Sequence, residues 1–252
     1  MIALDGGWLE GVALACIRIT AFLLVAPPFS HQGIPVRIKA MLGVGIAVAV
    51  VPTIQHPGYS MQDVGPFLLS LVAEALTGLA LGFLVMLVFA AVQSAGGLVD
   101  LFGGFQLASG YDPQMNVNGA QFTRLLQMVA LALLFASDGY QLVLGGLIRS
   151  FGAIPLGGRI DMAHLADVLV TGFSQMFLAA VQIAGPLIVV LVLADVGLGL
   201  LTRVAPALNA FSLGFPLKVL ATVAVGAIAF VALPQIVSGL SSRALDMLGG
   251  VS

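Results

Sequence analysis

Charge is what this sequence has least of. Lys, Arg, Asp and Glu together make up 8% of its 252 residues, while 60% are hydrophobic and the mean hydropathy is +1.13. Soluble domains carry about 25% charged residues, so the depletion excludes an ordinary water-soluble domain and puts the chain in the membrane class. Cysteine is nearly absent too. Cys16 stands alone inside an apolar run, which excludes a disulfide framework and a thiolate metal site and leaves it a packing role. His31, His56 and His164 are far apart in sequence and have no cysteine partners, so no metal ion and no cofactor is expected. The net charge of -2 argues neither way about nucleic acid, but no basic cluster is present to grip its phosphates, and no such partner is expected. Also missing are a glycine-rich phosphate loop ending in Lys-Ser/Thr, a nucleophile elbow and an HExxH helix, so the chain is not expected to be an enzyme. The amino-terminal stretch MIALDGGWLEG carries Asp5 and Glu10 where a cleaved leader would carry Lys or Arg, and the segment from Leu9 to Phe29 is therefore read as retained.

Long uncharged runs supply the organisation. They cover 19–36, 40–62, 75–99, 125–148 with Asp138 as the one interruption, 168–194 and 219–242. A spanning helix needs about 20 mostly apolar residues. Six candidate segments follow, at 10–29, 38–54, 68–95, 123–148, 166–196 and 217–240, with no soluble domain between them and no internal repeat. Arg37 and Lys39 in the first loop, and Arg203 and Lys218 in the fifth, favour a cytoplasmic side for the odd-numbered loops, while Arg149 and Arg159 argue against it.

Charges make several of these segments imperfect: Arg18 lies within the first, Glu74 near the start of the third and Asp138 interrupts the fourth. A charge at membrane depth costs about 2.5–3.5 kcal/mol on insertion scales and normally faces protein or water. Arg18 and Glu74 spare each other that cost if they pair across helices. A proton or ion relay is the sharper alternative, but it needs more ionisable groups along a path than this chain offers. On the third segment Glu74, Gly78, Gly82, Met86, Ala90 and Ser94 recur every four residues. The Gly78-x-x-x-Gly82 pair would let another backbone approach closely, either within this chain or from a neighbouring subunit. Most prolines fall at segment ends, but Pro186 lies inside the fifth run and should kink or break that helix. Discontinuous helices also serve transporters at their substrate sites. A small secondary transporter with Glu74 or Asp195 as its coupling carboxylate is therefore a competing reading.

The most unusual stretch is 96–124, GGLVDLFGGFQLASGYDPQMNVNGAQFTR. Six glycines and the Asp112-Pro113 break predict a loop here, since glycine gives up helix stability and the residue before proline is driven from the α region. The loop nevertheless carries many large apolar side chains, which a solvated linker would not need. Irregular backbone between membrane segments is tolerated where it is packed in protein or lines a cavity. Such a loop can fill a narrow pore, because an apolar constriction excludes water. Leu101, Phe102, Phe105, Leu107, Tyr111 and Met115 are the candidate seal residues, with Asp112 and Pro113 fixing the turn.

Three stretches together resemble the FliR family of flagellar biosynthesis proteins, whose virulence-injectisome counterpart is the SctT family. They are RITAFLLVAP from Arg18, continuing to GIPVRIK from Gly33; GFLVMLVFAAVQSAGGLVD from Gly82, leading into Asp112-Pro113; and LGLLTRVAPALN from Leu198, followed by GFPLK from Gly214. The similarity covers essentially the whole chain in order, although Ala207 stands where that family often has Gln. The resemblance implies an all-α, polytopic helical membrane protein of about six long hydrophobic helices. Its 1–165 part would be like the P subunit of the export gate, with a plug loop at 102–122, and its 166–252 part like a Q-subunit helical hairpin. It implies one copy in a hetero-oligomer with P- and Q-type subunits and an FlhB-type switch protein, in the bacterial inner membrane at the flagellar basal body. Unfolded export substrates would pass through the centre of that assembly, and membrane lipid would surround it. By their spacing and charge, Glu74, Gly78, Gly82 and Arg18 are the candidate helix-packing residues. Arg203, Pro206, Asn209, Pro216 and Lys218 would form the cytoplasmic tip of the hairpin.

Overall fold

A computed structural model describes residues 6–31, 33–54, 64–105, 121–158, 161–205, 213–224 and 226. Among them every regular element is helical, so the chain is all-α. The helices are α1 (Gly6–Val25), α2 (Val36–Val50, prolonged by one 3₁₀ turn, Val51–Thr53), α3 (Val64–Phe102), α4 (Gln121–Ala136), α5 (Gly139–Ala153), α6 (Met162–Val204) and the short α7 (Leu213–Ala224). Four helical stretches, α1, α2 with its 3₁₀ turn, α3 and α6, are long and apolar enough to cross a membrane. The α4–α5 pair makes a fifth if it is one broken span. At 39 and 43 residues, α3 and α6 are about 58 and 64 Å long, against a hydrocarbon core of about 30 Å.

The structure corrects three sequence expectations. The loop predicted over 96–124 is shorter at both ends: Gly96 to Phe102 continue α3, and Gln121 to Arg124 already belong to α4. Leu101 and Phe102 are therefore helical residues. Glycine costs only about 1 kcal/mol within a helix, and at Gly96 its bareness is used. A methyl group there would stand 2.6 Å from the Cα of Thr123, so only glycine lets the start of α4 lie against this turn. The single helix expected over 123–148 is broken at Ser137 and Asp138, with Asp138 in the left-handed conformation at φ 54°. Finally, α6 runs through Pro186 without a break.

The chain divides into two units. The first is formed by described residues of 1–88 and 137–173. Here α1 is the central element, with Ala15, Ile19, Phe22 and Leu23 fully buried and Ala26 buried just beyond its end. It is gripped by glycine stripes. A methyl group at Gly78 of α3 would strike the Arg18 carbonyl oxygen and stand 2.9 Å from the Ala21 Cβ, and one at Gly82 would stand 2.9 Å from the Phe22 carbonyl oxygen. The Gly78-x-x-x-Gly82 pair thus serves contact within this chain, since α1 fills its face. On α2, Gly43 lies in the same way against Thr20 and Cys16.

The second unit is formed by described residues of 89–136 and 174–238. Its core joins Ala95 and Val99 of α3 to Ala184, Leu187 and Leu191 of α6, with Phe102, Phe122 and Ala221 packed around them.

Candidate functional site

Arg18 and Glu74 lie in the first unit with relative exposures of 0% and 2%. The Arg18 Nε donates to Glu74 Oε2 at 2.5 Å and Nη2 donates to Oε1 at 3.0 Å, a two-pronged pairing that matches the fork of a guanidinium to a carboxylate. Nη1 donates to the carbonyl oxygens of Ser150 and Ile154 at 3.3 and 2.9 Å. These carbonyls belong to the C-terminal end of α5, where a cation also complements the helix dipole. The ring of Phe151 lies 4.4 Å from the guanidinium carbon, within reach of a cation–π attraction. Glu74 Oε1 accepts a third hydrogen bond, 2.9 Å long, from the backbone N–H of Gly157. That donor is delivered by a left-handed residue, φ 69°, in the turn after α5. One ion pair thus ties α1, α3 and the end of α5 together. Sequence reasoning singled out the two charges but not Ser150, Phe151, Ile154 or Gly157, whose share in the node leaves no mark in a linear pattern.

Asp100 is the centre of the second unit's polar contacts and is 1% exposed. Its Oδ1 accepts from the Phe122 N–H at 2.9 Å, and its Oδ2 accepts from the Thr123 N–H at 2.9 Å and the Thr123 hydroxyl at 2.6 Å. These amides belong to the first turn of α4, so a side chain from the last turn of α3 caps the next helix. The two ends of the glycine-rich insert are thereby held side by side. Asp100 was missed as a site residue; an acid one turn before a long irregular stretch, followed by a Thr at the next helix start, is the signal it left.

Of the candidate seal residues, Leu101 is exposed at the end of α3, Phe102 packs on the α3–α6 core and the half-buried Phe105 covers Gly103. Leu107, Tyr111, Asp112, Pro113 and Met115 lie outside the described residues. So do Pro206 and Asn209 of the expected hairpin tip, whereas Arg203 and Pro216 are exposed at the ends of α6 and α7. Between these two helices Lys218 Nζ pairs with Asp195 Oδ1 at 2.7 Å. Glu74 and Asp195, the carboxylates weighed for a coupling role, are each engaged by a cation of their own unit. No group of His, Cys, Asp and Glu suited to a metal ion occurs among the described residues.

The sequence matches the family described as bacterial export proteins, family 1, over residues 9–244. It is 33% identical to the flagellar biosynthetic protein FliR of Escherichia coli (strain K12), the match covering 83% of this chain and 80% of that protein. Identity to FliR of Bacillus subtilis (strain 168) is 32%, over 82% of this chain and 80% of that one. The Yop proteins translocation protein T of Yersinia pestis is 28% identical, over 80% and 78% respectively. With the apolar helices and the family match extending over nearly the whole chain, this protein belongs to the bacterial export protein family 1, the FliR/SctT family.

Proposed function

We propose that this chain is a membrane subunit of the bacterial flagellar type III protein export gate, and that it helps to form and to plug the pore through which unfolded flagellar proteins leave the cell. The observation that carries the reading is the match to export proteins over residues 9–244, together with FliR relatives at 33% and 32% identity. The T protein of the Yersinia translocation machinery belongs to the same comparison at 28%, and the FliR relatives at 33% and 32% favour the flagellar machine. The finer assembly follows the family. One copy would sit with P- and Q-type subunits and an FlhB-type switch protein in the inner membrane at the basal body, with 1–165 as its P-like part and 166–252 as its Q-like hairpin.

The proposed plug is the glycine- and aromatic-rich insert. What supports it is the Asp100 clamp, which holds the last turn of α3 and the first turn of α4 together, so that the insert leaves from and returns to one place. Large apolar groups on such a loop suit a seal that excludes water. The structural engagement of Glu74 and Asp195 favours this reading over an ion-coupled transporter.

Deleting 106–115 in a strain that depends on this chain for motility tests it. The deletion is expected to keep the subunit in the membrane complex while making cells permeable to small ions. An intact permeability barrier in cells that assemble the deleted subunit would remove the plug. Failure of the full chain to restore motility in a flagellar null strain, with rescue of an injectisome null strain, would move it to the other machine.

A further inference from the structure

Lys39 is buried to 6% exposure, and no acceptor for its ammonium occurs among the described residues. The sequence around it contains no help: between Glu10 and Asp63 there is no Asp or Glu at all, and Arg18, the other buried cation of this stretch, is consumed by Glu74. The Lys39 Nζ is not fully enclosed, for among the described residues Trp8 Nε1 is the one buried side-chain nitrogen or oxygen without a partner. Its stem is packed on the α1-facing side of α2, in line with Gly43, Ala47 and Val50. Helical side chains lean toward the N-terminus of their helix, and Lys39 is the fourth residue of α2, so the ammonium is carried back to the helix's first turn.

That turn has no side-chain cap and no acidic residue, and the Pro35 carbonyl oxygen accepts from the Ile38 and Lys39 amides. Pro35 is the N-cap and offers no side-chain hydrogen bond, so the positive end of the helix has no internal counter-charge. Arg37 adds an exposed second cation two residues away. All of this lies at one end of an apolar segment able to span a membrane, Val36–Thr53, whose outer side shows Val36, Ile38, Met41 and Leu42 to the surroundings. A lysine at a span end that hides its stem and frees its tip places its charge at headgroup level.

We propose that the first turn of α2 binds the phosphate of an anionic phospholipid, held by Lys39 and Arg37, with the acyl chains along Ile38, Met41 and Leu42. The phosphate satisfies the cation, the helix end and the apolar flank together. A carboxylate from a neighbouring protein would answer the first two but would leave the exposed apolar flank without a stated occupant.

The test uses the full chain, co-expressed with its membrane partners and purified in detergent. It is titrated with equal amounts of phosphatidylglycerol and phosphatidylcholine and examined by native mass spectrometry. Wild type is expected to retain phosphatidylglycerol in preference, and Lys39→Met to lose about fivefold in that retention, about 1 kcal/mol for one interfacial cation, with phosphatidylcholine unchanged. Lys39→Arg should hold the preference. Equal retention of both lipids by wild type overturns the proposal, and this readout stands even if Lys39→Met does not assemble. Displacement of phosphatidylglycerol by excess inorganic phosphate would make the ligand a free anion. A zero-length cross-link from Lys39 to a carboxylate of another chain would make it a protein contact. Either result also overturns it.

Discussion

The Asp100 carboxylate reaches 23 residues along the chain to hold Thr123 by both its backbone N–H and its hydroxyl, at 2.9 and 2.6 Å. This part-buried contact closes the stem of the insert. A carboxylate at a helix N-terminus gains both from charge-assisted hydrogen bonds and from the dipole. Removing it takes the acceptor from the half-buried Phe122 and Thr123 amides, at a cost of up to about 1–3 kcal/mol. Asp100→Ala should therefore lower the thermal aggregation midpoint of the purified complex and speed proteolysis between α3 and α4. Asp100→Asn keeps one accepting oxygen and should fall between Ala and wild type. Equal midpoints for all three proteins would mean that the clamp is not what holds the stem.

A second prediction concerns the ion pair of α1 and α3. Breaking a buried pair leaves a lone charge at a cost of about 3–5 kcal/mol, whereas replacing both partners with apolar groups is often near neutral. Arg18→Met alone leaves Glu74 held only by the Gly157 amide, and Glu74→Met alone leaves a guanidinium on two carbonyls and a ring. Each single change should sharply reduce the amount of chain recovered from membranes. The double change to Met should recover much of it, because no uncompensated charge remains. If the double variant is as poor as the sum of the singles, the pair has some role other than mutual neutralisation.

These two sites were legible to different degrees, for physical reasons. Apolar runs of spanning length forecast most of the helices, because the membrane leaves a long uncharged segment few other states. Arg18 and Glu74 could be matched from sequence because a charge in such a run demands a partner. Gly96 and Gly97 misled, since glycine marks either a loop or a close approach, and only the position of Thr123 decides between them. Pro186 misled for a related reason: long neighbouring turns keep α6 helical around the one hydrogen bond proline removes. Asp138 was visible as an interruption, but its left-handed backbone, which ends α4 and starts α5, has no signature beyond the tolerance of Asp for that region. Gly157 left no sequence signal at all.

Gly157 makes the sharpest test of how the node is built. Its φ of 69° aims the amide at Glu74 Oε1. Residues with a Cβ pay about 1–2 kcal/mol to sit in the left-handed region, Asn less than most, and β-branched residues the most. If conformation is what the position requires, stability of the complex should fall in the order Gly, Asn, Ala, Val. If the position were limited by space instead, Ala would be better tolerated than the larger Asn. The relative order of Gly157→Asn and Gly157→Ala, read from thermal midpoints of the purified complex, therefore separates the two causes. In the Glu74→Met background the amide has lost its acceptor, so the part of each penalty that comes from misdirecting it should vanish. A penalty for Gly157→Ala that is unchanged in that background would show that the turn, and not its hydrogen bond to Glu74, is what the glycine protects.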